Sequence, residues 1–489
     1  MKCLALSGLL LLNALLANTQ TLQLSSRNPH YFLYKGKPTV LITSAEHYGA
    51  VINSEFDYIT YLDLLQKNNF NLTRVFVGSY CEGDYYDFAP GKKNNAGDNQ
   101  NTLAVRPGKL IAPWARSDST GYRNGGNRFD LDKWDTDYFK RLNDFCRQAA
   151  RRNIIVEIVF FSANYGPATW LNSPLNAGNN INEVEDVAYN ETHLPKNKKL
   201  IARQIAMIQK IVQELNEYDN IYYEICNEPY WIKGIPEVES TIKVQQFLPE
   251  TDDWQAMIGQ AIKTAELKLA KRHLIAQNFA NNYFKIEKLD SNVSILNYHY
   301  AYPPKTVTDN YRWSKPVAFD ETADGQNAPD RRREAWAFIL AGGAVYNNLD
   351  WSWTVDDVTG LGRNARGQRQ SGKEVREQLT ILAKTIGNFD FIAANPVDST
   401  YKQDLPAGIN VYGLAIPGKD YLFYWIKNKK ITIDSWHLKL RPGNYDLKWF
   451  DPIDGRLIKQ TSFIYHNELD KIKIPLFTDD TVLRLKRVK

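Results

Sequence analysis

The chain has 489 residues, more than one ordinary domain and enough for a large barrel plus a smaller module. Its 60 basic and 55 acidic residues leave a net charge of +5, with no basic tract long enough to argue for nucleic acid. Hydrophobic residues make up 43% and charged residues 24%, as in a globular protein, and no internal segment is long and apolar enough to span a bilayer.

Residues Met1 to Thr19 are predicted to be a secretory signal. Lys2 gives the positive start, Leu4 to Leu16 the apolar core, and Ala17 to Thr19 a small-residue cleavage site. Cys3 precedes the apolar core, the wrong place for a lipid anchor. Beyond this segment remain Cys81, Cys146 and Cys226, whose number and spacing form neither a disulfide framework nor a zinc cluster. The expected location is therefore a periplasm, a cell surface or the exterior, with no integral membrane segment after signal removal.

Residues 20 to 37 are an extended lead-in with a turn at Lys35-Gly36-Lys37. Pro38 to Ser44 is a β-branched first strand, followed directly by Glu46 and His47. Phe56, Ile59, Leu62 and Leu65 repeat at helical spacing. Leu72 to Val77 is a second strand with Arg74 inside it. A charge within an apolar strand is normally excluded, so Arg74 is expected to point inward to a carboxylate.

A long insertion, Ser79 to Asn127, carries Tyr80, Tyr85, Tyr86, Trp114 and Arg116 and is expected to fold over one end of the molecule and shape a binding site, Trp114 included. Asp132 to Arg152 reads as an amphipathic helix stepping through Trp134, Tyr138, Leu142, Phe145 and Ala149. Ile154 to Phe161 is a nearly continuous apolar strand interrupted by Glu157. A second long loop, Ser162 to Pro195, holds Tyr165, Trp170 and Asn172. A helix over 198–216 leads to Ile221–Tyr230, a strand in which Cys226 reads as a small buried residue, and which stops at Pro229 just after Asn227 and Glu228.

Tyr230 and Trp231 follow, then a helix over 252–271 capped by Thr251 and short strands at 274–277 and 295–299. The last of these runs into His299-Tyr300-Ala301-Tyr302-Pro303-Pro304. Lys315 to Thr322 repeats the earlier pattern: proline opens a short apolar run and Glu321 ends it. Arg331-Arg332-Arg333 opens a helix reaching Leu340 and reads as a solvated face. Ala344 to Leu349 is an eighth strand, running into Asp350-Trp351-Ser352-Trp353, and a helix over 372–386 closes the series.

Eight strands alternating with helices predict an α/β fold, a (β/α)8 TIM barrel over residues 20–394. From about Pro396 short alternating runs split by Pro417-Gly418, Pro442-Gly443 and Asp454-Gly455 predict a small all-β sandwich over 395–489. In such a barrel the carboxyl ends of the strands form the catalytic face, which places Glu46, His47, Asn227, Glu228, His299 and Glu321 there. Glu321 follows Glu228 by 93 residues, about three βα units, so the two carboxylates end the fourth and seventh strands. A pair of carboxylates flanking one bond is what glycoside hydrolysis needs.

Glu224-Ile-Cys-Asn227-Glu228-Pro229 followed by Lys315-Pro-Val-Ala-Phe-Asp-Glu321 resembles the retaining glycoside hydrolases of clan A, closest to the cellulase-like family 5 group. The resemblance implies that Glu228 is the acid/base and Glu321 the nucleophile. It implies that Arg74 and His299 orient the nucleophile, with Tyr300 or Tyr302 beside them, and that Asn227 binds the sugar hydroxyl next to the anomeric centre. It also implies a stacking tryptophan after the eighth strand, a role for which Trp351 and Trp353 compete. Trp449-Phe450-Asp451-Pro452 resembles a β-module known as a putative collagen-binding domain, although a cap that packs on the barrel is the preferred reading.

The function expected is a secreted retaining glycoside hydrolase for a polysaccharide or oligosaccharide, in which Glu228 is held protonated by the Glu321 charge and no metal or cofactor is needed. The rivals are a non-catalytic glycan-binding barrel and a surface adhesin acting through the β-module.

Overall fold

The computed structural model describes residues 21–82, 101–232, 249–323, 327–361, 372–398, 401 and 405–488. The segment 1–19, Tyr85 and Tyr86 lie outside the described residues, as does the side chain of Trp231. Eight strands form one parallel sheet: β1 (Leu41–Ala45), β2 (Leu72–Phe76), β3 (Ile155–Ser162), β4 (Ile221–Asn227), β5 (Ile275–Asn281), β6 (Ile295–His299), β7 (Val317–Glu321) and β8 (Val345–Leu349). Their order is β1-β8-β7-β6-β5-β4-β3-β2, so the sheet curls round until its two edge strands meet. At that seam a side chain stands in for the ladder: Asn71 Nδ2 donates to the Val40 carbonyl (2.9 Å) and its Oδ1 accepts from the Ile42 N–H (2.9 Å). Both faces of each strand are covered, which is why the strands are buried nearly throughout.

The helices α1 (Tyr58–Lys67), α2 (Thr136–Arg151), α3 (Lys198–Leu215), α4 (Pro249–Glu266), α5 (Ala328–Leu340) and α6 (Gly372–Gly387) surround the sheet. Asp57 and Asp135 start α1 and α2 by accepting backbone N–H bonds of the first turn. Two expectations shift here. The chain enters α2 from a strand, Asn127–Trp134, that pairs with Trp114–Thr120, so Trp134 belongs to a hairpin and not to the helix. α4 starts at Pro249, so Thr251 lies inside it and is not its cap. No described helix is long and apolar enough to cross a membrane.

The C-terminal part is an antiparallel six-stranded sheet with a two-stranded ribbon, Ser435–His437 and Lys471–Lys473, beside it. Strand Asp420–Lys427 shows how the sheet is held. Tyr421, Phe423 and Trp425 enter a core shared with Trp436 and Ile472 of the ribbon. The alternate residues Leu422, Tyr424 and Ile426 join the barrel core. Trp336 of α5 stacks on Tyr424 with ring centroids 5.5 Å apart. Trp449 is fully buried in the sheet's own core, so the Trp-Phe-Asp-Pro run has a packing role.

The arginine run at the start of α5 is not a solvated face. Arg331 and Arg332 are buried. Arg332 grips Asp480 of the C-terminal sheet with two nitrogens, at 2.7 and 3.0 Å, and reaches Gln378 of α6 at 2.7 Å. The periodicity of a charge run cannot show that a second unit will cover it.

Candidate active site

Arg74 leaves β2 toward the barrel axis and is fully buried. Its Nε donates to Glu224 Oε2 (3.0 Å), its Nη2 to Asn227 Oδ1 (2.8 Å) and its Nη1 to Glu321 Oε2 (3.2 Å). Asp320 and Glu157 stand within 3.5 and 3.8 Å of its Nε. One guanidinium therefore faces four carboxylates from three different strands, and the inward orientation expected of it holds.

The adjacency of Asp320 and Glu321 has a local cause. Consecutive strand residues ordinarily face opposite sides. Here Tyr298 pairs with Phe319 and His299 with Glu321, leaving Asp320 as the extra residue of a β-bulge. The bulge lets both carboxylates reach His299: Nε2 lies 3.2 Å from Asp320 Oδ1, and Nδ1 lies 3.6 Å from Glu321 Oε1 and 3.0 Å from Glu228 Oε1. Ligand atoms of Glu228, His299 and Glu321 all lie within 4.8 Å of one another. Glu228 itself has φ +47°, and Tyr300, also beside the pair, has φ +53°. Such left-handed non-glycine residues are strained and cluster at functional sites.

The charges sort the carboxylates into two kinds. Burial alone would raise Glu321, but His299, His47 and Arg74 reverse this and hold it well below the usual carboxylate range. Asp320 is likewise buried and likewise lowered, by Arg74 and His299. Deeper in the barrel the balance turns: burial pushes Glu224 up to about 7 despite Arg74, and burial with the charges of Asp320 and Glu224 pushes Glu157 well up. His299 is disfavoured as a cation by burial, yet Glu321 and Asp320 outweigh that and hold it well above the usual imidazole range. The site thus presents an ionised Glu321 flanked by two cations.

Two groups have the spacing of a metal triad, Glu228–His299–Glu321 and Glu224–His299–Asp320. His299 belongs to both, with Nδ1 toward Glu228 and Glu321 and Nε2 toward Asp320.

Several expected site residues stand elsewhere. Tyr302 is not the tyrosine at the pair: Tyr300 is, donating to Glu321 Oε1 at 3.0 Å. Tyr302 lies on the side of the C-terminal sheet, within the field of Arg333 and Glu334. Glu46 accepts backbone N–H groups of Tyr48, Gly49 and Ala50 and is buried, so it ties down its own loop. His47 Nδ1 lies 3.9 Å from Glu321 Oε2, at the site as expected. Trp114 is buried in the hairpin and stacks on Trp134. Trp353 is fully buried between Tyr61 and Arg376, whereas Trp351 is partly exposed.

Glu224, Asp320 and Tyr165 stand at the site without being singled out by the strand-end motifs. Glu224 and Glu157 carried the same signal as Arg74, a charge inside an apolar strand. Asp320 carried none, because a bulge is not visible in a hydrophobic pattern. Tyr165, from the loop after β3, donates to Glu228 Oε2 at 2.7 Å.

No protein-family model and no curated protein matches the sequence. Solved structures do. A Bacteroides vulgatus protein classed provisionally as a glycoside hydrolase aligns over 96% of this chain and 83% of its own, with a TM-score of 0.64 and 13% identity. A structure named simply glycoside hydrolase aligns over 96% of this chain and 97% of its own, with a TM-score of 0.59 and 12% identity. A glycoside hydrolase family 5 protein from Bacteroides vulgatus aligns over 96% and 93%, with a TM-score of 0.58 and 13% identity. At these identities the likeness shows the fold, a parallel eight-stranded barrel followed by an antiparallel β unit.

Proposed function

We propose that the protein is a retaining glycoside hydrolase in which Glu321 is the nucleophile and Glu228 the acid/base. The observation that carries the reading is the pair itself: two carboxylates at the ends of β4 and β7, with oxygens within 4.8 Å of each other, joined through His299. Retaining enzymes hold their carboxyl groups about 5–5.5 Å apart, whereas inverting ones leave about 6.5–9.5 Å for a water. The names of the solved structures with the same fold point the same way.

Glu321, kept ionised by His299, His47 and Arg74, attacks the anomeric carbon. Its C–O bond forms as the glycosidic C–O bond breaks, and Glu228 gives its proton to the departing oxygen. Glu228 then takes a proton from water, whose oxygen displaces Glu321 from carbon. Arg74 and Tyr300 fix the Glu321 oxygens for this attack, and Trp351 offers a face on which a sugar ring stacks. The substrate is a carbohydrate polymer or oligomer.

The test is reducing-sugar release from a panel of plant and microbial polysaccharides by wild type, Glu321→Gln and Glu228→Gln. The reading expects release by wild type, a fall of about 10⁴-fold in the first variant, and about 10²–10⁴-fold in the second. Release that persists in Glu321→Gln removes that residue as nucleophile. Retention of glycans without release by wild type makes the protein a binding barrel.

A further inference from the structure

We infer that Tyr165 is a positioning residue that governs how readily Glu228 gives up and regains its proton. The inference rests on the reading of Glu228 as acid/base and adds a group outside the motif pair. Tyr165 Oη accepts from Asn227 Nδ2 at 2.7 Å and donates to Glu228 Oε2 at 2.7 Å. A phenol has one proton, and the Asn227 N–H fills the acceptor side of the oxygen. The proton of Tyr165 is thereby aimed at Glu228.

Asn227 is itself fixed at both ends, since Oδ1 accepts from Arg74 and Nδ2 also donates to Ser162 Oγ at 3.2 Å. The orientation of the phenol thus follows from a chain running from the buried guanidinium through a carboxamide that cannot flip. From the other side, the ring of Tyr165 meets Tyr80 edge-on with centroids 6.2 Å apart. Tyr165 comes from the loop after β3 and Tyr80 from the insertion after β2, so the two long insertions together hold the phenol in place.

Among the described residues, the titratable groups facing Glu228 besides Tyr165 come from β4, β6 and β7, with Cys226 of β4 buried beside it. His299 approaches Oε1 from β6, and Tyr300, Tyr230 and Glu321 stand around it at the ends of β6, β4 and β7. Tyr165 is a neutral donor on Oε2, and the Tyr300 hydroxyl also stands within hydrogen-bond reach of Glu228. A hydrogen bond donated to a carboxylate favours the ionised form. When Glu228 has passed its proton to the leaving oxygen, Tyr165 stabilises the carboxylate that results. When Glu228 must act as an acid again, that bond is given up. The bond therefore helps the departure of the leaving group and sets the alkaline end of the working pH range.

The experiment is the pH profile of kcat/KM for Tyr165→Phe beside wild type, on a soluble polysaccharide from which wild type releases reducing ends. The ring and its contact with Tyr80 are kept, and a thermal melt reports whether the fold is intact. Loss of the donor is expected to move the alkaline limb up by about one pH unit, with kcat reduced about tenfold and KM little changed. A second variant, Tyr80→Phe, keeps the donor and is expected to leave the limb in place. An unmoved limb in a folded, active Tyr165→Phe overturns the inference and leaves the hydrolase reading standing. A wild type that hydrolyses nothing overturns both.

Discussion

Two of the buried arginines, in different regions of the molecule, are held differently. At the joint between barrel and C-terminal sheet, Arg332 meets one carboxylate, Asp480, with two parallel hydrogen bonds, and Tyr424 donates to the same carboxylate. Charge is matched one to one. In the barrel, Arg74 meets Glu224, Asp320, Glu157 and Glu321 at once, with His299 as the second cation. There the carboxylates are in excess, and their proton affinities are driven apart, Glu321 and Asp320 down, Glu224 and Glu157 up. A matched buried pair serves as glue, whereas an unmatched cluster stores the uneven proton affinities that acid–base chemistry uses.

The sharpest way to break this comparison is to remove each arginine. Arg74→Met leaves several buried carboxylates uncompensated, and we expect a loss of about 3–5 kcal/mol in stability together with loss of activity even in the folded fraction. Arg332→Met should cost about 3 kcal/mol by leaving Asp480 unpaired, but with kcat per folded molecule unchanged. Denaturant melts and active-site-normalised kinetics separate the two. Arg332→Met combined with Asp480→Leu should recover part of the loss, since a matched pair can be replaced by apolar groups. If Arg74→Met proves merely unstable and otherwise active, the distinction fails.

A second, smaller test uses the carboxylates around the site. Glu82 is raised to about 7 by burial, against hydrogen bonds from the Asn101 N–H and Tyr80. A raised folded pKa means stability present below about pH 4.5 that is lost as pH rises through about 7. Glu82→Gln removes that dependence. Its stability relative to wild type should improve by about 2 kcal/mol between pH 5 and pH 8, read from melts at both pH values. A pH-independent difference would contradict the assignment.

The smallest effect concerns the two tryptophans after β8. Trp351→Ala should raise KM a few-fold, the scale of one lost stacking contact, with little change in melting. Trp353→Ala, which empties a buried site between Tyr61 and Arg376, should instead cost about 3–5 kcal/mol.

Much of this arrangement was legible in the sequence. The eight strands, the strand-ending prolines and the two glutamates follow from hydrophobic pattern and punctuation, and Arg74 followed from the rule that a buried charge needs a partner. What escaped was set by geometry between segments. The bulge that turns Asp320 inward has no signature in a five-residue strand. The choice of Tyr300 over Tyr302 depends on a left-handed residue at the strand end. Trp114 is aromatic within a long insertion, yet it sits in a hairpin whose buried side chains join the barrel core. Arg332 of α5 is charged in sequence and buried in the fold because Asp480, some 150 residues later, pairs with it.

The central claim is that Glu321 attacks carbon and Glu228 passes the proton. It is tested most directly by following the anomeric configuration of the first product by proton NMR during hydrolysis by wild type. A double displacement predicts that the sugar is released with the configuration it had in the substrate, before mutarotation. Release of the opposite anomer would contradict the account, because it would require a water between the two carboxylates and no bond from Glu321 to carbon.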